Sequence, residues 1–472
     1  MEDGAGMSVG FGTSGLRGLV TELTEDLVAR HVQAFVGMLG PQRMVMIARD
    51  LRPSSPGIAG MVRRALVGMG VDAVDCGRLP TPAMALAAQV RRCPAIMVTG
   101  SHIPADRNGL KFYSQSGEVT KAQEAEMARA AATPARYGGA AVVLKDATAA
   151  PGYLARYRDF FGNAPLAGMR LGVWQHSSVA RDLLVNLLAA LGATPVALGR
   201  SDRFVPIDTE AISAAVAAQL RLWSAAHQLD AILSTDGDAD RPLLAGADGA
   251  LIPGDVLGVL TARALGADCV VTPVTSCSMI ETSGAFAQTC RTRIGSPHVI
   301  AGLEAALRER PCRPAGFEAN GGFVLGFAAE RAGRRLAALP TRDAFLPLLA
   351  PLVAACDSGV QLEAQVAALP PQRMASGRLA AVPTDLSRTL LDRLARDAAE
   401  RARFFADHGP EAGLDLTDGL RVSFVSGVIL HLRPSGNAPE LRGYAEAANA
   451  ADAEAGVKAL LARARAGLDR CG

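Results

Sequence analysis

Short apolar runs that lead into polar, glycine-containing loops recur along the chain. The run Ala95 to Val98 has the length of a buried strand and passes directly into Thr99 to His102, which has the composition of a turn. The order of strand, loop and helix returns at Leu171 to Trp174 and again at Cys269 to Thr272. Three repeats of this order predict three similar α/β domains with mixed sheets, whose binding loops lie outside strand ends.

The C-terminal part of the chain follows a different pattern. Strands are predicted near Ala380 to Val382 and at Arg421 to Leu432, and helices at Asp385 to Arg403 and Ala445 to Leu468. This mixture predicts a smaller α+β domain at the C-terminal end of the chain.

A length of 472 residues exceeds what one hydrophobic core serves, so several domains are expected. Mixtures of proline, glycine and alanine at 134–151, glycines at 246–254 and the pair Pro370-Pro371 are typical of crossings between domains. We therefore predict four domains, with bounds at 1–148, 149–250, 251–369 and 370–472.

Composition narrows the class of protein. A formal charge of +2 creates no long-range field that would favour nucleic acid or a membrane surface. The eight cysteines are scattered without the spacing of a zinc site, and no segment is long and apolar enough to span a bilayer. We expect a cytoplasmic protein with reduced thiols, a monomer or a homodimer, that binds neither nucleic acid nor membrane.

The loop after the strand at Ala95 to Val98 carries a hydroxyl nucleophile beside cationic groups. Ser101 follows Gly100, whose backbone freedom is expected to expose the seryl oxygen. His102 and Lys111 lie close in sequence. A serine in a glycine turn is often only a capping residue, but these neighbours make the loop a candidate for handling a phosphoryl group.

Three aspartates follow another apolar run at alternate positions, Asp236, Asp238 and Asp240. Carboxylates in this spacing supply hard oxygen ligands for a divalent cation, and their mutual repulsion favours an ion over a bare acidic turn. A calcium-binding EF-hand loop is excluded, because Arg241 and Ala247 stand where such a loop needs glycine and glutamate.

Two further loops suit a phosphorylated sugar. Gly316 to Phe323 places Glu318 and Asn320 among glycines, where they either hold sugar hydroxyls or cap a turn. Arg433 to Arg442 combines two guanidinium groups with hydroxyl and amide side chains, which suits a phosphate monoester.

Together these loops resemble those of a known family, the α-D-phosphohexomutases, which includes phosphomannomutases and phosphoglucomutases. The resemblance covers nearly the whole chain and rests on five motifs in the family's order, namely Phe11 to Gly18, Thr99 to Pro104, Asp236 to Arg241, Gly316 to Phe323 and Arg433 to Arg442. It implies four domains around one cleft and a reversible isomerisation of hexose 1-phosphates and 6-phosphates.

The resemblance also implies roles for single residues. Ser101, as phosphoserine, exchanges its phosphoryl group with the sugar, and a hexose 1,6-bisphosphate is the intermediate and activator. Mg²⁺ is held by Ser101 and the three aspartates, and Arg17 is expected to act with them by holding phosphate. The contacts expected with the substrate come from Arg241, Glu318, Asn320, Arg433, Ser435, Gly436, Asn437 and Arg442.

The sequence departs from the family pattern in three places. Many relatives have serine where Asn320 stands, and threonine and glutamate where Asn437 and Ala438 stand. The loop Thr272 to Cys277 lacks the lysine that relatives often carry there, and a histidine expected after the next glycine is displaced. The candidates to compensate are Arg291, Arg293 and His298, although His298 is as readily a core or surface histidine.

Two choices stay open at the level of sequence. The general base is either His102 or Lys111. The serine and sugar loops favour mannose phosphates, as in bacterial phosphomannomutases, with phosphoglucomutase or dual specificity as the alternative. A phosphoglucosamine mutase is less expected because Gly12 to Leu16 differs from that branch, and the intact serine and aspartates oppose a non-catalytic sugar-phosphate sensor.

Overall fold

The computed structural model describes residues 9–435 and 439–469. Gly436 and Asn437, two of the predicted phosphate contacts, lie outside the described residues. The chain forms an α/β fold of three mixed sheets and one antiparallel sheet, in that order along the sequence. The predicted fold class is therefore confirmed.

The first sheet has the strand order β1-β2-β6-β5-β3-β4-β8, with β7 beside β6. Its strands are β1 (Gly10–Phe11), β2 (Leu16–Leu19), β3 (Met44–Arg49), β4 (Asp72–Arg78), β5 (Ala95–Val98), β6 (Arg107–Ser114), β7 (Gly117–Glu118) and β8 (Val143–Lys145). Its helices are α1 (Glu25–Leu39), α2 (Ser55–Gly68), α3 (Thr81–Arg91) and α4 (Lys121–Ala130).

The second sheet has the order β10-β9-β11-β12. Its strands are β9 (Arg170–His176), β10 (Thr194–Arg200), β11 (Ala231–Thr235) and β12 (Pro242–Ala245), and the helices of this part are α5 (Ala149–Phe161), α6 (Arg181–Ala190) and α7 (Ala214–His227).

The third sheet has the order β14-β13-β15-β16-β19, and β17 pairs with β18 in a separate ribbon. The strands are β13 (Cys269–Pro273), β14 (Gln288–Thr292), β15 (Pro314–Phe317), β16 (Phe323–Leu325), β17 (Ala329–Arg331), β18 (Arg334–Leu336) and β19 (Leu339–Asp343). The helices are α8 (Gly254–Ala264), α9 (Met279–Thr282), α10 (Ser296–Glu309), α11 (Phe345–Ser358) and α12 (Leu362–Ala367).

The C-terminal sheet is antiparallel, in the order β20-β24-β23-β22-β21. Its strands are β20 (Arg373–Ala380), β21 (Glu411–Asp415), β22 (Leu420–Phe424), β23 (Ile429–Pro434) and β24 (Glu440–Ala447). Its helices are α13 (Thr384–Arg396), α14 (Ala398–Phe404) and α15 (Ala450–Leu468), with a short 3₁₀ turn at Ala406–His408.

The first three sheets share one topological feature that places the predicted loops. In each sheet a strand that runs parallel to a neighbour is followed along the chain by an antiparallel partner: β5 by β6, β11 by β12, and β15 by β16. The serine, aspartate and sugar loops are these three connections. They therefore occupy the same position in three related sheets, at the strand ends where ligands bind.

The hydrophobic cores show where the molecule divides. One cluster of buried side chains runs from Met46 to Leu369 and contains residues of all three mixed sheets. The C-terminal sheet packs its helices on a separate cluster, from Val382 to Leu468. The first three sheets are thus joined by shared apolar packing, whereas the fourth has a core of its own.

Several predicted elements are confirmed and others are wrong. The strand predicted at Ala95 to Val98 is β5, with the predicted bounds, whereas the strand predicted at Ala380 to Val382 is the end of the earlier strand β20. The strand predicted at Arg421 to Leu432 is two strands, because Gly427 adopts a positive φ of 84° in a turn between β22 and β23. The helix predicted from Ala445 begins later, since β24 runs to Ala447.

The predicted bounds of the four domains remain predictions. Among residues 9–435 and 439–469, no helix combines the length and the apolar surface that a bilayer crossing needs.

Candidate active site

Ser101 is held in a strained conformation at the end of β5. Its φ of 51° lies in the left-handed region, which residues with a side chain rarely adopt. Its hydroxyl donates a hydrogen bond of 2.8 Å to Asp236 Oδ2 and lies 3.3 Å from His102 Nδ1. The predicted nucleophile and the aspartate loop are therefore in direct contact, although 135 positions separate them in sequence.

Gly100 is needed for a different reason than the sequence suggested. Its own φ is not in the left-handed region, and the positive φ belongs to Ser101. A Cβ on Gly100 would instead lie 2.5 Å from the Arg52 guanidinium carbon. The glycine provides space for a buried arginine and not backbone freedom.

The three aspartates form a compact carboxylate cluster. Asp236, Asp238 and Asp240 are all buried, and one oxygen from each lies within 4.8 Å of the others. Burial and the charges of its two neighbours raise the pKa of Asp236. Burial alone would raise the pKa of Asp238 as well, but the Lys111 ammonium brings it below its usual value.

This cluster fits a divalent cation. Asp238 Oδ1 and Asp240 Oδ1 are buried without a hydrogen-bond partner in the described structure, which is costly for carboxylate oxygens unless an ion receives them. Asp236 Oδ1 accepts from the backbone N–H groups of Asp240 and Arg241, each at 3.2 Å, which fixes the loop around that position. Three hard oxygen donors in this arrangement suit Mg²⁺.

Lys111 lies on β6, beneath the same cluster. Its Nζ is 2.6 Å from Asp238 Oδ2 and 2.6 Å from Asp240 Oδ2, and the side chain is 1% exposed. The side chain therefore neutralises two carboxylates from inside the protein. Among the described residues its hydrogen bonds go to these two carboxylates and not to Ser101 Oγ, whereas His102 Nδ1 lies 3.3 Å from that oxygen.

His102 and Arg17 both contact the serine loop. Burial and the charge of Arg241 lower the pKa of His102 well below its usual value. Arg17 Nη1 donates to the Thr99 carbonyl at 2.7 Å, and burial lowers the pKa of the Arg17 guanidinium. His102 thus contacts the Ser101 hydroxyl and Arg17 contacts the backbone two residues before it, while their catalytic roles remain predictions.

Arg241 follows the three aspartates and makes only long ion pairs. Its guanidinium is 3.9 Å from Asp208 and 3.9 Å from Asp240, and 12% of the side chain is exposed. These separations are too long for tight hydrogen bonds, so the guanidinium is available to an anion.

The sugar loop joins the aspartate cluster through an arginine that the sequence did not reveal. Arg342, on β19, donates to Glu318 Oε2 at 2.8 Å and to Asp240 Oδ2 at 2.7 Å. Glu318 is thereby connected to the aspartate cluster. The side-chain oxygen of Asn320 accepts a hydrogen bond from the Gly322 N–H at 2.9 Å, within its own turn. This is the turn-capping role that the sequence offered as the alternative to a sugar contact.

The predicted phosphate loop is described only in part. Arg433 on β23 and Arg442 on β24 are paired in register, and Ser435 N–H donates to the Glu440 carbonyl at 2.8 Å. The Arg442 charge acts on the Glu210 carboxyl, lowering its pKa against the larger raising effect of burial. The two arginines therefore stand side by side, and Arg442 lies within electrostatic reach of Glu210.

The sequence matches two family models. Residues 8–137 match Phosphoglucomutase/phosphomannomutase, alpha/beta/alpha domain I, and residues 387–463 match the Phosphoglucomutase/phosphomannomutase C-terminal domain. A curated phosphomannomutase of Sinorhizobium fredii is 45% identical over 451 residues, which cover 93% of this chain and 94% of that protein. The chain belongs to the phosphoglucomutase/phosphomannomutase family.

Further likenesses agree with this membership. A phosphomannomutase of Salmonella muenchen is 42% identical over 467 residues, covering 98% of this chain and 97% of that protein. The crystal structure of a phosphoglucomutase/phosphomannomutase family protein from Burkholderia thailandensis has the same fold, with a TM-score of 0.75, 22% identity and 97% of each chain covered. As a phosphohexomutase, the chain is an isomerase.

One departure from the family pattern has a structural outcome. The loop Thr272 to Cys277, which lacks a lysine, is held by Arg291 through the carbonyls of Pro273, Ser276 and Cys277. Arg291 also pairs with Glu281 at 2.7 Å. Its guanidinium therefore lies under the loop but is already engaged there. His298 is half-buried, and burial lowers its pKa.

Three residues of the site were missed by sequence reasoning. Arg342 sits in a strand with no motif around it, and Thr81, which donates to Asp238 Oδ2 at 2.6 Å, begins an ordinary helix. Arg52 follows the end of β3, so its position after a parallel strand was the available signal.

Proposed function

We propose that this phosphohexomutase is a phosphomannomutase, which interconverts mannose 6-phosphate and mannose 1-phosphate through a phosphoserine enzyme and a hexose 1,6-bisphosphate. The observation that carries the proposal is the Ser101 hydroxyl, 2.8 Å from Asp236 in a buried aspartate cluster. Two oxygens of that cluster, Asp238 Oδ1 and Asp240 Oδ1, have no hydrogen-bond partner in the described structure. The two relatives described above, each covered almost completely, are both named phosphomannomutase. Phosphoglucomutase or dual activity is the alternative.

The reaction consists of two phosphoryl transfers. Phosphoserine 101 gives its phosphoryl group to the free hydroxyl of the hexose phosphate; the bond from Oγ to phosphorus breaks, a bond from the sugar oxygen forms, and the hydroxyl proton passes to a base. The bisphosphate then reorients in the cleft and returns its other phosphoryl group to Ser101. The net result is transfer between the two ends of the sugar.

The two candidates for the general base differ in their contact with the Ser101 hydroxyl. His102 Nδ1 lies 3.3 Å from Ser101 Oγ, within reach of a proton that leaves a hydroxyl at the same phosphorus. Lys111 is held by two carboxylates and faces the interior. We therefore assign proton transfer to His102 and give Lys111 the role of neutralising the aspartate cluster.

Mg²⁺ would be held by Asp236, Asp238, Asp240 and an oxygen of phosphorylated Ser101. Bound there, it supplies charge neutralisation for the phosphoryl group in transfer. Arg17, which contacts the Thr99 carbonyl, and Arg241, which makes no tight ion pair with Asp208 or Asp240, would hold the oxygens of that group.

The other end of the substrate meets the remaining loops. Glu318, oriented by Arg342, would accept hydrogen bonds from sugar hydroxyls. The phosphate that is not in transfer would lie against Arg433, Ser435 and Arg442, with Gly436 and Asn437 completing that loop. For Asn320 we retain only the backbone and its amide nitrogen as contacts, because its side-chain oxygen is engaged in its own turn.

The proposal includes a setting for the enzyme. A cytoplasmic monomer or homodimer that acts on small sugar phosphates fits the near-zero net charge. A hexose 1,6-bisphosphate serves as activator, because enzyme that has lost its phosphoryl group regains it only from a bisphosphate.

The substrate is tested by comparing turnover of mannose 1-phosphate, glucose 1-phosphate and glucosamine 1-phosphate with Mg²⁺ and a hexose 1,6-bisphosphate. The highest kcat/KM is expected for mannose 1-phosphate. Equal rates on all three would refute the mannose assignment, and a preference for glucose would support the alternative.

The phosphoserine is tested on the same preparation by intact mass. The wild-type chain should gain one phosphate from the bisphosphate, and Ser101→Ala should gain none. A chain that never carries the added mass would favour a sugar-phosphate sensor. Net release of inorganic phosphate as the main product would indicate a phosphatase.

A further inference from the structure

The backbone around Ser101 is fixed by two side chains that never reach the cleft. Asp50 and Arg52 follow β3, and both side chains are 0% exposed. The Arg52 Nε is 3.3 Å from Asp50 Oδ2, so the two form a buried ion pair. Since neither group is accessible to a substrate, any effect on the reaction must act through another residue.

Arg52 holds the carbonyl side of the serine loop. Its guanidinium donates to the Ser101 carbonyl at 2.9 Å and to the Arg107 carbonyl at 2.9 Å. It also donates to the carbonyls of Ile103 and Pro104. One planar group therefore gathers four carbonyls of a seven-residue loop, which the single ammonium of a lysine does not match.

Asp50 fixes the backbone N–H of Ser101 through Thr99. Asp50 Oδ2 accepts from the Thr99 hydroxyl at 2.8 Å, and Thr99 Oγ1 in turn accepts from the Ser101 N–H at 2.8 Å. Both backbone groups of Ser101 are thus tied, directly or through one hydroxyl, to the same ion pair. This arrangement opposes relaxation of the positive φ at Ser101.

The connection after β10 also packs against Arg52, through Phe204. The Phe204 ring stacks over the Arg52 guanidinium, with 4.1 Å between its centroid and the guanidinium carbon. A Cβ on Gly237, inside the aspartate loop, would lie 3.1 Å from that ring and 2.9 Å from the Ser101 carbonyl oxygen. Arg52, Phe204 and Gly237 therefore set the distance between the serine loop and the aspartate loop.

We infer that the Asp50–Arg52 ion pair positions the nucleophile. It holds both peptide groups of Ser101 so that the seryl oxygen stays directed at the aspartate cluster in each phosphoryl transfer. Asp50 and Arg52 are positioning residues and contact neither substrate nor ion. The inference rests on the proposed function for its kinetic readout.

The first test is Arg52→Lys, assayed for kcat and KM with the preferred hexose phosphate. Misplacement of a reacting atom by about 1 Å costs roughly 100-fold in rate, so kcat is expected to fall by about that factor. KM is expected to stay within about threefold, because the substrate-binding loops are untouched. Asp50→Asn should also lower kcat, and the double variant should lose little more than the worse single variant, because both act through one residue.

Arg401→Lys is the matched control. Arg401 is also buried, donates to the carbonyls of Leu394 and Ala395, and pairs with Glu411 at 2.7 Å, but it lies in the C-terminal core. Its replacement should lower the midpoint of thermal unfolding and leave kcat unchanged.

Hydrogen exchange provides a readout that does not depend on activity. The peptide containing Thr99 to Arg107 should exchange faster in Arg52→Lys than in the wild type, and at the wild-type rate in Arg401→Lys. If the wild-type chain isomerises no hexose phosphate, the proposed function fails. The exchange rate of this peptide then tests by itself whether Arg52 fixes the serine loop.

The inference is overturned if Arg52→Lys keeps kcat within threefold of the wild type, or if its loop exchanges unchanged. A kcat loss matched by Arg401→Lys would also overturn it, because the effect would then be general instability. If Arg52→Lys does not fold, Asp50→Asn and Gly100→Ala decide, and retention of wild-type kcat by both would overturn the inference.

Discussion

At the level of single residues, the aspartate cluster shows how a buried acidic site is balanced. Lys111 and Arg342 each approach the cluster to within 2.7 Å from inside the protein. They pair with one oxygen of Asp238 and of Asp240, and leave the other oxygen of each without a hydrogen-bond partner in the described structure. The side chains of Lys111 and Arg342 therefore neutralise part of the negative charge of the cluster, and the remaining negative charge favours binding of a cation.

The first prediction concerns that ion. Mg²⁺ should stabilise the wild-type chain against thermal unfolding, by about 2.7 kcal/mol at a concentration of about 100 times Kd. Asp238→Asn should reduce this stabilisation, because an amide is a poorer ligand for Mg²⁺ than a carboxylate. The measurement is the midpoint of thermal unfolding with Mg²⁺ and with EDTA.

Asp159→Asn, at an exposed aspartate of α5, is the control and should respond to Mg²⁺ like the wild type. An equal response of Asp238→Asn would place the ion elsewhere.

The sequence predicted most of the residues that meet at the site and few of those that hold them. Ser101 and the aspartates could be found because each sits in a short motif after an apolar run. Arg342 and Thr81 have no local signal, since their partners lie 102 and 157 positions away. The role of Gly100 was predicted wrongly, because its neighbour Arg52 lies in the connection after β3, far away in sequence, and the contact exists only in the fold.

At the level of elements, helix α4 connects local capping to the site. Thr120 and Gln123 form a reciprocal capping box at its first turn. The same turn presents Lys121, which donates to the Gly12 carbonyl at 2.6 Å, and Glu124, which accepts from the Gly15 N–H at 3.0 Å. The helix start therefore holds the glycine-rich turn that precedes Arg17.

Thr120→Ala should loosen that start. Loss of an N-cap costs about 1 kcal/mol, which corresponds to roughly fivefold faster local opening. Hydrogen exchange of the peptide covering α4 should accelerate by that factor, and kcat should fall modestly as the turn before Arg17 loosens.

Thr120→Ser keeps the capping hydroxyl and serves as the control, with exchange close to the wild type. Equal acceleration in both variants would show that the threonine methyl, and not the cap, holds the helix.

Element boundaries in the C-terminal part were predicted poorly for a local reason. The helix predicted at Asp385 to Arg403 is broken at Asp397, whose carboxylate caps α14 by accepting from the Ala399 and Glu400 N–H groups. An aspartate is a common N-cap residue, so Asp397 was a possible sign of a new helix start. The helical spacing of apolar residues continues past it, however, so the pattern predicts one long helix.

For the whole molecule, two deeply buried histidines couple stability to pH. His176 donates through Nε2 to the Thr235 carbonyl, and His431 donates through Nε2 to the Asp418 carbonyl. Neither Nδ1 has a partner in the described structure. Burial lowers the pKa of each imidazole to about 4, against the opposing effect of the carbonyl contact.

The folded pKa of each histidine lies below the value of about 6.5 expected for the unfolded chain, so the unfolded chain binds more protons between pH 6.5 and 4. Stability should therefore fall as the pH is lowered through this window, by about 2 kcal/mol per histidine between pH 7 and 5. His431→Gln keeps an Nε2 donor without a titrating ring, and should lose less stability over that range.

The groups that face His431 are Arg433, Asp418, Arg421 and the Tyr444 ring, which the variant leaves unchanged. Unfolding midpoints at pH 7 and pH 5 provide the measurement, with the partly exposed His227→Gln as control. The assignment fails if His431→Gln and His227→Gln lose the same stability on acidification.

The separate core of the C-terminal sheet has a consequence for how the enzyme is held together. The described polar contacts across this junction include Ser278 with Glu446 and Ile294 N–H with Asp418. A tether, predicted at Pro370-Pro371, would keep the two parts at an effective concentration on the order of millimolar. A gene interrupted at that tether would encode two polypeptides that each retain an apolar interior. Turnover would then depend on the concentration of both, as in a dissociable heterodimer.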